Sequence, residues 1–162
     1  MKPEVKKLVN TFAETAQAVK TRLKTSGFVL PVSHNGGVKY FHTYIKKNRD
    51  GYYDIVNLHN PKRVYYKDIG NFKIAVAIAI YLGNNAEFNE DELLKADNDY
   101  LRWYNEIRIF KYQLKVAEQQ GNEMRIDMFE ARIDQYTPKY NNAKQQVDLL
   151  LDQAETLLFD TK

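Results

Sequence analysis

The run Leu93-Leu94-Lys95-Ala96-Asp97-Asn98-Asp99-Tyr100-Leu101-Arg102-Trp103-Tyr104-Asn105-Glu106-Ile107 sets the architecture of the C-terminal half. Leu93, Tyr100, Ile107 and Leu114 recur every seven residues, and Ala96, Trp103, Phe110 and Ala117 follow at an offset of three. This is an a/d seam held for four heptads, the pattern of a helix that packs along one stripe. Asn89 with Glu92 three residues later has the spacing of a helix-capping box, and Glu90 and Asp91 suit the positive end of a helix dipole. Gln120-Gly121-Asn122 interrupts the pattern. A second seam follows, with Ile126, Ile133, Tyr140, Val147 and Ala154 at one position and Phe129, Tyr136, Ala143, Leu150 and Leu157 at the other. Two helices joined by so short a turn run antiparallel, and each is on the order of 45 Å long at helical rise. Pro138 falls inside the second, away from the seam, where an outward bend is expected.

Upstream of this hairpin the chain changes character twice. Val5, Val9, Phe12, Ala16, Val19 and Leu23 alternate steps of four and three, which predicts an amphipathic helix from Glu4 to about Lys24, ended by Ser26-Gly27. From Phe28 to Ile69, β-branched and aromatic residues dominate. Three strands are predicted, about Lys39–Lys46, Tyr52–Leu58 and Arg63–Lys67, with turns at Asn48-Arg49-Asp50-Gly51 and His59-Asn60-Pro61-Lys62. Gly36-Gly37 reads as a turn before the first of them. Strict alternation along Lys39–Lys46 puts Tyr40, His42 and Tyr44 on one face, with Lys39 and Thr43 on the other. Asn71 then caps an apolar helix through Ile74–Leu82, stopped by Gly83-Asn84-Asn85. Its alternating alanines decide for helix over strand, because alanine is a strong helix former and a poor strand former. The expected fold is therefore α+β. A domain over 1–85 holds the N-terminal helix, a three-stranded antiparallel meander and a buried apolar helix. A coiled-coil-like helical hairpin over 86–162 packs on it or projects from it.

Composition narrows the chemistry. The 162 residues contain no cysteine, which excludes a disulfide scaffold, a Cys-ligated zinc site, an iron–sulfur cluster and a cysteine nucleophile. The histidines His34, His42 and His59 show no metal-ligand spacing. Ser26 and Ser33 sit in no nucleophile elbow, and the 7 glycines build neither a P-loop nor a dinucleotide fingerprint. No enzyme activity, cofactor or metal is expected. The N-terminus lacks the apolar core of a signal peptide, and Ile74–Leu82 is too short to cross a bilayer, so neither secretion nor membrane insertion is expected.

Two surfaces remain as candidates. The first is a protein interface on the helices, carried by Val5, Val9, Phe12, Val19 and Leu23 of the first stripe. Apolar residues outside the hairpin seams, Leu101, Tyr104, Ile109 and Leu151, extend it. A hairpin that buries only its own a/d positions leaves these wanting cover, which predicts a bundle or an oligomer. The second is the meander. Between Lys39 and Lys67 lie seven basic residues and two acids, a net +5 that leaves −2 for the rest of a chain whose total is +3. Six tyrosines share that segment. Cations interleaved with aromatic rings are what stacks bases while neutralising phosphates, so Lys46, Lys47, Arg49, Lys62, Arg63 and Tyr66 are the candidate nucleic-acid contacts.

Two stretches carry a family likeness. Gly51-Tyr52-Tyr53-Asp54-Ile55-Val56-Asn57 with Val64-Tyr65, Ile69 and the Ala-rich helix to Leu82-Gly83-Asn84 resembles small uncharacterised proteins of large tailed marine bacteriophages. Asp99-Tyr100 on one helix and Glu130-Ala131-Arg132 on the next are similar to the same group. The resemblance implies a phage-encoded, virion-associated component found in the particle or the host cytoplasm, with other virion proteins or its own copies as partners. It carries no catalytic residue. The resulting expectation is a non-enzymatic structural or interaction protein that associates through its helices, with a nucleic-acid-binding module over 39–67 as the alternative.

Overall fold

The computed structural model describes residues 31–159. The strands are β1 (Val32–His34), β2 (Gly37–Tyr40), β3 (Thr43–Lys47), β4 (Tyr53–Asn57) and β5 (Val64–Ile69). Three helices follow: α1 (Phe72–Gly83), α2 (Glu90–Gln120) and α3 (Glu123–Phe159). The N-terminal helix expected over Glu4–Lys24, with Val5, Val9, Phe12, Val19 and Leu23, lies outside the described residues.

The sheet has five antiparallel strands in sequential order, which corrects the three-stranded meander expected from the sequence. Two tight hairpins account for the difference. Asn35 and Gly36, at φ 47° and 81°, turn β1 into β2 between the paired His34 and Gly37. Positive φ at both central residues makes the two-residue turn whose twist matches the flanking strands, and Asn-Gly is its preferred sequence. The second hairpin splits the strand predicted over Lys39–Lys46. Phe41 takes φ 51° and turns with His42, so Tyr40 pairs with Thr43. That turn reverses the expected alternation. Tyr40 and Thr43 point into the core together, and Tyr44 pairs with Lys39 on the opposite face. Gly37 is required by close approach, since a Cβ there would strike the Ile45 carbonyl and the Tyr44 ring.

The inner face of the sheet presents Val38, Tyr40, Ile45, Tyr53, Ile55 and Ile69 to α1. Every residue of α1 from Ile74 to Ile80 is buried. A helix apolar all round needs cover on both sides, and α1 has it: β2–β5 on one side, α2 and α3 on the other. Each fully buried isoleucine here contributes about 2 kcal/mol of transfer free energy. Asn71 caps the helix by accepting the N–H of Lys73 at 2.8 Å and of Ile74 at 3.4 Å. Beyond its end, the Asn84 amide donates to the Tyr40 hydroxyl at 2.7 Å and to the Ile80 carbonyl at 2.8 Å. The core thus stacks sheet, buried helix and hairpin in three layers, and one hydrophobic cluster runs through all of them.

In the hairpin, Asn89 caps α2 by accepting the Glu92 N–H at 3.1 Å. Gly121, at φ 66°, ends α2 in the left-handed conformation that glycine adopts without penalty. α3 continues through Pro138, which is exposed, and the Thr137 hydroxyl donates to the Ile133 carbonyl at 2.7 Å.

Candidate functional site

Only part of the hairpin belongs to the layered body. Leu93, Ala96 and Tyr100 of α2 and Ala143, Val147, Leu150, Leu151, Ala154 and Leu158 of α3 are buried members of the central cluster. Between Tyr104 and Lys139 the hairpin contributes nothing to it. The length of α1 sets this limit: its 12 residues cover three to four turns of each long helix, and both helices run on past its N-terminal end. The remainder is a two-helix arm about 25 Å long at helical rise.

Aromatic rings hold the arm together. Trp103 lies 5.3 Å from Tyr136, Phe110 lies 5.6 Å from Tyr136 and 6.2 Å from Phe129, and Tyr100 lies 5.6 Å from Tyr140. Two helices can cover a seam from one direction only. Within the arm just Ile107 and Ala117 are buried, while the other seam residues stay half-exposed. Tyr104, Ile109, Tyr112, Met124 and Met128 are exposed outright, Tyr112 by 69% and Met124 by 82%. At the base of the arm a groove opens on each side of the seam. One, of about 310 Å³, runs past Asp99, Trp103, Lys139 and Asn142. The other, of about 380 Å³, runs past Tyr104, Arg108, Lys111 and Tyr140. The Arg102 guanidinium and the Lys139 ammonium each lie 4.7 Å from the Trp103 ring.

The interface residues expected from the sequence divide accordingly. Leu151 is buried in the core, and Leu101 covers Gly70, where a Cβ would collide with it. Their cover is the body of this chain. Tyr104 and Ile109 stand exposed on the arm. Met124 and Met128 join them without having been expected. Their heptad positions, on the outer faces of the second helix, are the signal in the sequence that locates them.

The meander does not gather its candidate contacts. Lys46, Lys47 and Arg49 lie at the β3–β4 end of the sheet, and Lys62 and Arg63 at the β4–β5 end. The five residues of β4 separate the two groups by about 17 Å. The tyrosines are engaged in the fold. Tyr44 donates its hydroxyl to the carbonyls of His34 at 2.9 Å and Asn35 at 3.0 Å, clasping the first hairpin. Tyr53 packs 5.2 Å from Phe72, and Tyr65 accepts from Asn57 at 2.9 Å while Arg63 lies over its ring. Burial, with the charge and hydrogen bond of Glu90, pushes the Tyr66 hydroxyl above its usual value, so this ring is turned toward the start of α2. Of the six, Tyr52 is the exposed one.

The histidines also sit in structural roles: His34 packs edge-on to Tyr44 and His42 edge-on to Tyr65, while His59 lies in the exposed β4–β5 turn. Among the described residues no three His, Cys, Asp or Glu side chains converge to hold a metal ion, and no helix is long and apolar enough to cross a membrane.

Comparison of the chain with protein families, curated proteins and solved structures returns no match.

Proposed function

We propose that the protein is a non-enzymatic interaction component that associates through its helical arm. One observation carries this reading: a hairpin held by an aromatic seam continues about 25 Å beyond the core and keeps Tyr104, Ile109, Tyr112, Met124 and Met128 exposed along it. Apolar residues exposed on a projecting element add nothing to the core of the body and cost solubility, which supports an association role for the arm. The resemblance of its sequence to phage proteins supports a virion or assembly component, in the particle or the host cytoplasm, as the setting of this proposal. The test is mass spectrometry of purified particles combined with chemical cross-linking. The chain should be present, with cross-links from Lys111, Lys115 and Lys139 to another polypeptide. Absence from particles together with no cross-linked partner in infected cells would refute the reading.

A further inference from the structure

The seam divides the arm into two long faces, and one of them is self-complementary. On that face the α2 edge carries Glu106 with the apolar Ile109 and Val116, and the α3 edge carries Arg125, Arg132 and Lys139 with Met128. That Asp99 and Lys139 line one groove places these two edges on the same side of the seam. The α3 edge of this face holds no acid. Arg102, the cation of the α2 edge, lies against the Trp103 ring. Glu106, Arg125 and Arg132 form no ion pair among the described residues. The charges are thus sorted by helix without being neutralised within the chain.

We infer that this face binds a second copy of the same chain, with the two-fold axis along the arm. The inference rests on the proposed role of the arm in association and names the partner. A two-fold axis parallel to the arm sets α2 of one copy against α3 of the other, acid edge against basic edge. An axis across the arm would set Glu106 near Glu106 and Arg132 near Arg132, which like-charge repulsion disfavours. Height along the arm is preserved by the first operation. The hairpin turns at Gly121, and Trp103 meets Tyr136 and Phe110 meets Phe129 across the seam, so Glu106 lies at the height of Arg132 and Ile109 at about that of Met128. Glu106 of each copy then faces Arg132 of the other, and Ile109 packs on Met128. A ribbon of two helices about 20 Å wide and 25 Å long gives about 500 Å² per copy, or about 1,000 Å² in all. That is the lower bound for a specific interface, and an interface that depends on exposed charge pairs is weakened by salt.

Sedimentation equilibrium of the full chain tests this, using the wild type, Glu106→Lys, Arg132→Glu and an equimolar mixture of the two variants. Wild type should dimerise at low salt, and each variant alone should weaken dimerisation about tenfold or more. The mixture should recover it, because the two chains have complementary edges in both contacts of the two-fold pair. Recovery on mixing cannot arise from a contact within one chain. A wild type monomeric up to about 1 mM, or variants that dimerise as well as wild type, would overturn the inference. So would a mixture that stays monomeric, or a different polypeptide found bound to this face. A monomer that still cross-links through the arm to another particle protein would overturn the second copy as partner and leave the proposed function standing.

Discussion

At Asp97 a single carboxylate spans the join between the hairpin and the layered body. Its Oδ2 accepts the Gly70 N–H at 2.9 Å and its Oδ1 accepts the Asn71 N–H at 2.7 Å, just before α1 begins. Burial pushes the carboxyl above its usual value, while the two backbone donors pull the other way. Asp97→Ala leaves both N–H groups without their acceptor and is expected to cost about 3 kcal/mol, measured by urea denaturation. Glu155 offers a pH test. Burial first, and Asp152 second, raise its carboxyl against the pull of Lys73, which pairs with Asp148 at 2.5 Å. A raised acid binds its proton more tightly in the folded chain, so stability falls as pH rises from the unfolded value through the folded one. Glu155→Gln should therefore be more stable than wild type at pH 7, with the advantage gone near pH 4. A variant less stable at pH 7 would show that the Lys73 attraction outweighs burial.

Among the elements, the first hairpin isolates backbone conformation from packing. A Cβ on Gly36 would meet nothing within 4 Å, yet its φ is 81°. Gly36→Ala should cost about 1 kcal/mol, through the left-handed backbone alone, as read by the shift in denaturation midpoint. The two hairpins also mark how far the sequence can be read. Asn35-Gly36 carries the strongest short hairpin signal there is, and reading Gly36-Gly37 as the turn conceals it. Phe41-His42 has no Gly, Asn or Pro, so nothing local announces a turn. Its consequence, the burial of Tyr40 with Thr43, is set by tertiary packing against Gly83 and Asn84. The helix starts at Asn71 and Asn89 and the stop at Gly121 are legible, because capping chemistry is local. So are the charged edges of the arm, which follow from heptad position. What stays hidden is where the arm leaves the body, because that depends on α1 being 12 residues long and buried on both sides.

At the scale of the whole molecule, two regions of unlike cohesion share the long helices. The body closes α1 between the sheet and the hairpin, with Ile74, Ile78 and Ile80 fully buried. The arm has one aromatic seam and no further cover among the described residues. Local opening follows that difference, so arm amides exchange faster than those of α1 in the isolated chain. If the arm is the association surface, exchange there must respond to binding while exchange in the body does not. Hydrogen exchange with mass spectrometry, run on the full chain over a range of protein concentrations, reads this directly. The account predicts that protection across residues 104–139 rises with concentration, with residues 72–83 unchanged. Protection that stays constant in the arm and rises instead along the sheet edge at β1 or β5 would contradict it.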